Sequence, residues 1–525
     1  MDDTIVQRDV VQSGVVIAVD IGTTGTKVLA VNTDGQILAS HNIGYDLHTP
    51  KPGYAEQDPI EILHAVIQGV KMIVEQALLN REDILCVSFS SAMHSLIAVD
   101  RYLEPLTACI TWADQRGTSY ADLLKKDKAG LAIYHATGTP IHPMSPLIKL
   151  MWMREHEPEL LRSTYQFLGI KEFILARMFG QCVIDYSLAS ATGMFNIHHL
   201  EWDKDALELT GVRAEQLPRP VPTTFQLKGL GSTYATAMGL SLDTPFVVGA
   251  SDGVLANLGA GALELGVTAV TIGTSGAVRA AVNYPMTDPA GRLFCYALTE
   301  KLWIVGGAIN NGGITLRWAR DQLFSAETET ARKLGEEPYD QLIELAQTAP
   351  PGSGGLLFLP LLTGERAPYW NANARGVYFG LSLQHERRHL IRAAMEGVML
   401  QIRTVAQLLE PACGQAREVR ASGGFARSAF WRQMLSDVLG TPVRVPQSFE
   451  SSGIGAAWLG YHALGIEPDI LGIHRWVKLD ESMSHEPDAT NHQLYSDMAD
   501  LYDQVYTQLE GQFEQIVKLQ KLSLS

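Results

Sequence analysis

Apolar and polar residues follow one another along the chain in patterns that predict both strands and amphipathic helices. An apolar run begins at Val15, passes through a glycine- and threonine-rich loop, and continues as the β-branched run KVLAV up to the turn at 32–35. The segment PIEILHAVIQGVKMIVEQALL from Pro59 has helical periodicity, and ILCVSFSS from Ile84 is typical of a buried strand. The pattern therefore predicts an α/β protein whose first element is a β-hairpin with a glycine-rich tip.

The glycine-rich loop at 22–25 lies between two predicted strands, and this excludes the common phosphate loops. A Walker loop or a dinucleotide-binding fingerprint leads from a strand into a helix. The chain contains neither Gly-Lys nor Gly-x-Gly-x-x-Gly. A hairpin can still bind phosphate through backbone N–H groups and threonine hydroxyls. Taken alone, this loop is equally consistent with an ordinary glycine–threonine turn.

The same strand–loop–strand pattern occurs again near the middle of the chain, in VTAVTIGTSGAVRAAV at 267–282. Its pentapeptide IGTSG at 272–276 matches IGTTG at 21–25. Two distant copies of one unit indicate a duplicated domain. Two facing hairpins could hold one polyphosphate from both sides.

Changes in the pattern divide the chain into four parts. The predicted parts are a loose polar tail at 1–13, a first α/β lobe at 14–265, a second α/β lobe at 266–465 and a helical extension at 466–525. In the extension Tyr495, Tyr502 and Tyr506 recur at helical spacing, which predicts a packed helix.

Charge and cysteine usage narrow the class of protein. The 525 residues carry a formal net charge of −16, which makes nucleic acid and anionic membranes poor partners. Binding of an anionic nucleotide would then require local cations or Mg²⁺. Five cysteines without paired or Cys-x-x-Cys spacing indicate reduced thiols. The first residues lack a signal-peptide core, and no apolar run is long enough to span a bilayer. We therefore expect a cytoplasmic protein.

Two aspartates follow apolar strands beside glycines and are candidates for phosphoryl-transfer chemistry. Asp20 ends the strand before the first loop, where a carboxylate beside phosphate needs an intervening cation, and this indicates Mg²⁺ bound through water. Asp252 follows the apolar run FVVGAS, where a carboxylate can take the proton of an acceptor hydroxyl. The alternatives are that Asp20 caps its loop and that Asp252 caps the following helix.

A second candidate group follows the buried strand ILCVSFSS. Met93 and His94 lie near its carboxyl end, where ligands of α/β sheets bind, and CITWADQRG adds Trp112, Asp114 and Arg116. An aromatic face with acidic, amide and guanidinium groups suits a polyhydroxylated ligand. Each residue alone is more typical of a structural role. No His or Cys spacing typical of a metal site is present.

A glycine pair in SGGFARSAFWRQML lies between a predicted strand and a predicted helix. Glycines there permit a base or a ribose to lie against the backbone. A plain strand–helix turn is the alternative.

Together these segments resemble the FGGY carbohydrate kinases, from about Val15 to Gly465. MSPLIKLMWMREH at 144–156 and GVYFGLSLQHERRHLIRAAME at 376–396 are similar to the two family signatures. DIGTTGTK resembles the phosphate-1 loop, TIGTSG the phosphate-2 loop, and SGGFARSAFWRQMLSD the adenosine motif. The resemblance implies an α/β fold of two actin-like (ribonuclease H-like) ATPase lobes with a cleft between them.

The resemblance also implies roles for particular residues. Asp252 would be the general base, and Asp20 would hold Mg²⁺ through water. The residues implied to bind ATP are Thr23, Thr24 and Lys27 from one lobe, Gly273 and Thr274 from the other, and Gly313, Gly424 and Ser428 along the nucleotide.

The segments near the predicted sugar site narrow the substrate. Glycerol kinases of this family have Arg-Glu where this chain has Met93-His94, so glycerol is not expected. SSAMHSLIAVD, CITWADQR, GTPIHPMSPL, GIKEF and DYSLASATGMFN resemble the gluconate kinases of the family, whereas xylulose kinases usually have QMHG and WND. Arg116 and His142 are candidate partners of a substrate carboxylate, and a purely structural role for both is equally consistent.

The predicted activity is transfer of the γ-phosphoryl group of Mg·ATP to O6 of D-gluconate. D-Xylulose or another polyol or ketose is the alternative acceptor. A remoter alternative is an actin-like switch ATPase, although it leaves the group around Met93 and Asp252 unexplained. A non-catalytic sugar sensor on a kinase fold is a further one. A homodimer is left open.

Overall fold

The computed structural model describes residues 14–325, 328, 329, 333, 335 and 337–524. The polar tail predicted at 1–13 lies outside the described residues. The predicted fold of two α/β lobes is confirmed, and the elements of the two lobes are as follows.

In the first lobe the strands, numbered β1 to β14 in chain order, are Val15–Ile21, Gly25–Val31, Ile37–Gly44, Glu56–Gln57, Ile84–Ser91, Ile97–Val99, Cys109–Ile110, Gln166–Leu168, Val183–Asp185, Phe195–Asn196, Glu201–Trp202, Arg219–Val221, Gln226–Leu227 and Phe246–Ser251. The helices, numbered α1 to α10, are Pro59–Gln76, Thr118–Lys126, Lys128–Thr137, Pro146–His156, Pro158–Ser163, Ile170–Phe179, Tyr186–Ser190, Lys204–Thr210, Ser232–Met238 and Asp252–Gly259.

In the second lobe and the extension the strands, β15 to β22, are Val267–Ile272, Gly276–Val282, Phe294–Ala297, Trp303–Ile309, Leu357–Leu359, Val377–Phe379, Glu418–Ser422 and Val443–Arg444. The α-helices labelled here, α11 to α16, are Gly313–Trp318, Pro338–Gln347, Arg387–Cys413, Ala429–Leu439, Ser451–Ala463 and Ala489–Leu524.

The main sheets of the two lobes share the topology of five strands, whereas the sixth strand lies at opposite edges, β13 beside β14 and β17 beside β18. In the first sheet the order is β13-β14-β5-β1-β2-β3, and in the second it is β17-β18-β16-β15-β21-β22. In chain order the first two strands of each sheet, β1 and β2 or β15 and β16, form an antiparallel hairpin. The first strand of each hairpin also pairs in parallel with a later strand, β1 with β5 and β15 with β21. The duplication that the repeated pentapeptide predicts is therefore present at the level of the sheets.

Strand β1 is buried on both faces, which explains its continuous apolar sequence VVIAVDI. Ile17 and Val19 belong to the core that also contains residues of α1, whereas Val16 and Ala18 belong to the core that contains residues of α15. Helix α15 is contributed by the second half of the chain and packs against β1 and β5 of the first lobe. The lobes are thus interleaved through this helix.

Helices α10 and α15 cross at glycines. A Cβ atom at Gly259 would lie 1.9 Å from the backbone oxygen of Ser451, and one at Gly455 would lie 2.1 Å from that of Leu255. This backbone approach is possible only for residues without a side chain. Because α10 begins at Asp252, the crossing also supports the element that carries this candidate base.

The tyrosines of the extension lie in helix α16. Tyr495, Tyr502 and Tyr506 are buried, with exposed fractions of 1%, 0% and 4%. The Tyr506 ring stacks on Tyr369 at 3.4 Å between centroids, and the Tyr495 hydroxyl donates to Glu396 at 2.9 Å. The helix is therefore packed against the second lobe through this stripe.

Candidate active site

Three parallel strands of the first sheet end at one edge. In register, Asp20 of β1 lies beside Ser90 of β5, and Ser91 of β5 lies beside Ser251 of β14. Asp252 follows Ser251 directly and begins α10. The topology thus brings Asp20 and Asp252 to the same edge of the sheet although they are 232 positions apart (252 − 20).

A cavity of about 340 Å³ opens at this edge between the lobes. The first lobe contributes Thr23, Ala92, Met93, His94, Trp112, Met144 and Asp252, and the second contributes Thr271, Gly273, Ser275, Gly276, Ala277, Arg279, Phe294, Tyr296, Ala308, Arg366 and Trp370. A cleft between lobes with aromatic walls and a few charged groups is typical of a small-molecule site.

Asp252 has the electrostatic properties of a base. Burial, assisted by the charge of Asp20, raises its pKa from 3.8 to about 6, although Arg279 acts in the opposite direction. One oxygen, Oδ1, accepts the backbone N–H of Gly253 at 2.6 Å. The helix-cap position is held by Ser251, so Asp252 is the first residue inside α10. At pH 7 its carboxylate is ionised and can accept a proton from a group in the cavity.

Asp20 provides an acidic oxygen behind the first hairpin. The Ser90 hydroxyl donates to its Oδ1 at 2.6 Å, and burial raises its pKa despite this bond and the charge of Lys27. In the described part of the chain, no group of three or more His, Cys, Asp or Glu side chains could hold a metal ion by itself. A carboxylate oxygen such as that of Asp20 is the type of donor that Mg²⁺ accepts, so this residue fits the ion as one ligand or through water.

Both glycine loops are tight hairpin tips. The N–H of Gly22 donates to the oxygen of Gly25 at 3.0 Å, and the N–H of Gly273 donates to that of Ser275 at 2.8 Å. At these tips, Thr24 and Thr274 are exposed, and Gly273 borders open space, since a Cβ there would meet nothing within 4 Å.

Side chains around the first tip are already hydrogen-bonded. The Thr23 hydroxyl accepts the indole N–H of Trp112 at 2.8 Å. The Nζ of Lys27 donates to both carboxylate oxygens of Glu450, each at 2.9 Å. The sequence did not indicate Glu450, because it lies 423 positions away.

The other predicted nucleotide residues lie along the carboxyl edge of the second sheet. The N–H of Gly313 donates to the oxygen of Gly273 at 2.7 Å, so α11 begins against the second hairpin. Gly423 has a φ of +92°, and a Cβ there would lie 2.5 Å from a backbone oxygen of β15, whereas one at Gly424 would meet nothing within 4 Å. Ser428 caps α14 by accepting the N–H of Trp431 at 3.4 Å.

Met93 and His94 line the cavity from the loop after β5. His94 has a φ of +69°, and its Nδ1 donates to the backbone oxygen of Ala191 at 2.7 Å, which leaves Nε2 as an acceptor. Burial, together with the charge of Lys149, lowers the pKa of His94 to about 3, so the ring is neutral. The buried Lys149 ammonium donates to the backbone oxygen of His94 and to that of Met144, and so fixes this loop.

Asp114 and Arg116 are placed differently from the other predicted sugar-site residues. The Nε of Arg116 donates to Asp114 Oδ1 at 2.9 Å and its Nη2 to Oδ2 at 2.8 Å, and Nη2 also contacts Glu56. Asp114 is fully buried and accepts the N–H of Ala55 at 2.8 Å. Neither residue belongs to the cavity lining. The structure therefore does not bring them to the cleft, because they satisfy each other.

His142, the second carboxylate candidate, also lies outside the cavity lining. Its Nδ1 accepts the N–H of Met144 at 3.2 Å, and its ring contacts Trp370 at 5.3 Å between centroids. Burial lowers its pKa well below 6.5, so the ring is neutral.

Sequence reasoning missed most cavity residues of the second lobe, among them the polar or charged side chains of Arg279, Tyr296, Arg366 and Trp370. For Arg279 a signal existed, because a single charged residue interrupts the apolar strand GAVRAAV. Arg366 and Trp370 lie in the polar loop GERAPYW after a buried strand. Tyr296 carried no signal, since an aromatic residue in a strand is ordinary core.

Comparison with known proteins decides the family. The model of the FGGY family of carbohydrate kinases, N-terminal domain, matches residues 15–259, and that of the C-terminal domain matches residues 268–464. This chain belongs to the FGGY family of carbohydrate kinases. The candidate acids Asp20 and Asp252 lie in the first FGGY match, and Gly273, Arg279 and Gly424 lie in the second.

Relatives within the FGGY family cover almost the whole chain. A gluconokinase from Bacillus subtilis (strain 168) is 46% identical over 506 residues, which are 96% of this chain and 98% of that protein. A solved gluconate kinase from Lactobacillus acidophilus has a TM-score of 0.90 at 34% identity, covering 96% of this chain and 99% of the other. A ligand-bound xylulose kinase from Lactobacillus acidophilus also has a TM-score of 0.90 at 34% identity, with 96% and 100% covered.

Among the described residues, none of the helices has the length and apolar character needed to cross a membrane.

Proposed function

We propose that this FGGY kinase transfers the γ-phosphoryl group of ATP to O6 of D-gluconate and releases ADP and 6-phospho-D-gluconate. The observation that carries the proposal is the 46% identity to a gluconokinase over 96% of this chain. The ionised carboxylate in a cleft between two glycine-tipped hairpins supports the reaction type.

Asp252 is the proposed general base. It accepts the proton of the terminal hydroxyl while O6 forms a bond to the γ-phosphorus and the bond to the leaving ADP oxygen breaks. A pKa of about 6 leaves the carboxylate ionised at pH 7 yet basic enough to take a proton in the transition state. His94 is neutral and offers Nε2 as an acceptor that can orient a sugar hydroxyl.

The two hairpins are the proposed phosphate cradle. Backbone N–H groups and the threonine hydroxyls at both tips, with the Lys27 ammonium, would bind the phosphates and offset their charge. The proposed sites are Thr23, Thr24, Lys27, Gly273 and Thr274 for phosphate, and Gly313, Gly424 and Ser428 for the rest of the nucleotide.

Asp20 is the residue we propose to hold Mg²⁺ through water. When bound, the ion supplies positive charge to the phosphates of the nucleotide. The Ser90 hydrogen bond fixes the Asp20 carboxylate in position for this role.

Contacts between the lobes around the cavity are proposed to limit hydrolysis. The Lys125 ammonium of the first lobe donates to the backbone oxygen of Trp370 in the second at 2.8 Å. The ring centroids of His94 and Tyr296, one from each lobe, are 6.3 Å apart. Closure of such contacts over the sugar excludes water from the transferring group.

The test is ADP release from Mg·ATP with D-gluconate, D-xylulose, L-ribulose, glycerol or no acceptor, measured side by side. Preference for D-gluconate, with 6-phosphogluconate as the product, is the expected result. Preference for glycerol would contradict both the substrate and the argument from Met93 and His94. Acceptor-independent ADP release would instead favour the switch ATPase.

D-Xylulose is the second candidate acceptor, because a solved xylulose kinase matches this chain as well in TM-score as the solved gluconate kinase does. Preference for xylulose in the same assay would retain the roles of Asp252 and the hairpins but overturn the proposed acceptor. A cytoplasmic location and a homodimer remain predictions, for cell fractionation and sedimentation to test.

A further inference from the structure

Two arginines of the second lobe, Arg279 and Arg366, line the cavity, and neither forms a salt bridge with a carboxylate of the described residues. The Nη1 of Arg279, on β16, makes one long hydrogen bond of 3.4 Å to Thr271 Oγ1. Its Nε is buried and has no partner among the described residues. Arg366 donates to two neutral oxygens, Asn310 Oδ1 at 2.7 Å and the backbone oxygen of Ile309 at 3.1 Å. A buried donor without an acceptor costs free energy, so Arg279 has capacity for a ligand.

Their position distinguishes these arginines from others in the chain. Arg116 is bound on two sides by carboxylates of its own lobe, and Arg392 forms a salt bridge of 2.8 Å with Glu396. Of the described arginines whose buried Nε lacks a partner, Arg279 is the one that lines this cavity. It lies against the first turn of α10, since a Cβ at Gly253 would be 3.2 Å from its Nε.

The cavity has an excess of positive charge although the chain has a net charge of −16. Its ionised lining groups are Arg279, Arg366 and the single carboxylate Asp252, because His94 is held neutral. Burial lowers the pKa of Arg279, the charge of Asp252 acts in the opposite direction, and the like charge of Arg366 lowers this pKa further. An anion bound by both would relieve this repulsion and form charge-assisted hydrogen bonds.

The order of the charged groups fits a chain-like acid. Arg279 lies against the first turn of α10, the turn that Asp252 begins. Arg366 is held instead at the end of β18, through its hydrogen bonds to Asn310 and Ile309. An acid whose terminal hydroxyl lies at Asp252 would hold its carboxylate several bonds away, toward the two arginines.

We propose that Arg279 and Arg366 together bind the carboxylate of the sugar acid and select it over a neutral polyol of the same length. This inference rests on the proposed gluconate kinase function and names the groups that recognise the substrate. A site with buried donors placed for a carboxylate rejects an analogue that leaves those donors unpaired.

The test is isothermal titration calorimetry without nucleotide, with D-gluconate and with D-glucitol, in which CH₂OH replaces the carboxylate. The proteins are the wild type, Arg279→Met, Arg366→Met and Arg279→Lys, with the exposed Arg213→Met as the matched control. Thermal unfolding verifies that each variant is folded. If Arg279→Met does not fold, Arg279→Lys takes its place in the comparison.

The wild type and Arg213→Met are expected to bind D-gluconate more tightly than D-glucitol. Each Met variant is expected to bind D-gluconate about 10- to 100-fold more weakly, with D-glucitol affinity nearly unchanged. Arg279→Lys keeps the positive charge but lacks the planar guanidinium group, so its affinity for D-gluconate should lie between those of the wild type and Arg279→Met.

Other outcomes would overturn the inference. Unchanged gluconate affinity in both Met variants, with a lowered kcat, would show that the arginines act on the transferring phosphoryl group. Equal losses for both ligands would show a general packing role. If the wild type neither binds nor phosphorylates D-gluconate, the proposed function itself fails, and the carboxylate role fails with it.

Discussion

Lys27 of the first lobe and Glu450 of the second form a salt bridge across the lobes, with Nζ 2.9 Å from each carboxylate oxygen. Lys27 lies on β2 just after the first hairpin, and Glu450 lies immediately before α15, the helix that packs on the first sheet. The bridge therefore ties a predicted phosphate-binding cation to the element that interleaves the lobes.

We predict that removing Lys27 and removing Glu450 have different consequences. Lys27→Met should raise the KM for Mg·ATP roughly tenfold or more, because a charge-assisted contact to phosphate is lost. Glu450→Gln should change this KM by less than about fivefold, since both side chains are about one-third exposed, at 36% and 34%. Steady-state kinetics at fixed D-gluconate measure both effects. An equal rise in KM for both variants would mean that the intact bridge, rather than the free ammonium, serves ATP.

Asp252 should set the acidic limb of the pH–rate profile. The carboxyl must be ionised to accept a proton, and its pKa is about 6, so kcat/KM should fall about tenfold per pH unit below that value. His94 should not contribute near neutrality, because burial holds its pKa at about 3. A profile of kcat/KM from pH 4.5 to 8 measures this limb. The same limb persisting in His94→Gln would support the assignment, and its disappearance there would contradict it.

Asp252→Asn should separate catalysis from folding. We expect kcat to fall roughly 10²- to 10⁴-fold. The folded-state pKa lies above the unfolded value, so ionisation of Asp252 lowers stability as pH rises from about 4 to 6, and this cost persists at pH 7. The variant should therefore be more stable than the wild type at pH 7, by on the order of 1 kcal/mol, with no such gain at pH 4. Denaturant unfolding at the two pH values is the measurement; a less stable variant at pH 7 would argue against this electrostatic strain.

Arg116→Met should affect stability rather than sugar affinity. The Arg116 side chain is 5% exposed and its partner Asp114 is 0% exposed, so the substitution leaves a buried carboxylate unpaired. The expected loss is about 3–5 kcal/mol of unfolding free energy. Urea unfolding measures this loss, and D-gluconate affinity of the folded fraction should stay within about threefold. A large loss of affinity without loss of stability would restore Arg116 to the sugar site.

Gly455→Ala should weaken the crossing of α10 and α15. The added methyl would lie 2.1 Å from the backbone oxygen of Leu255, so the helices must separate. We expect a loss of about 1–3 kcal/mol in stability and a lower kcat, because α10 carries Asp252. Gly511→Ala is the control, since a Cβ there meets nothing within 4 Å. Equal stability and equal kcat of the two variants would show that the helix crossing tolerates a methyl group at position 455.

Features of this protein that depend on local pattern could be predicted from the amino-acid sequence. Continuous apolar runs and turn residues predicted both hairpins and the strands that lead to Asp20 and Asp252, because strand and turn preferences act over a few residues. The repeated pentapeptide predicted the duplication. The loop glycines were visible for the same reason. The resemblance of short segments then gave the family, which the comparison confirms.

Which charged groups contact each other depends on how the chain packs. Asp114 and Arg116 looked like sugar-site residues, yet they pair with each other beside Glu56, whereas Arg279 and Arg366 reach the cavity from the second lobe. Likewise α15 belongs to the second half of the sequence and packs on the first sheet. The helix and the sheet lie hundreds of positions apart, whereas Asp114 and Arg116 are two positions apart. In both cases burial and charge pairing are properties of the packed chain, so no local pattern contains them.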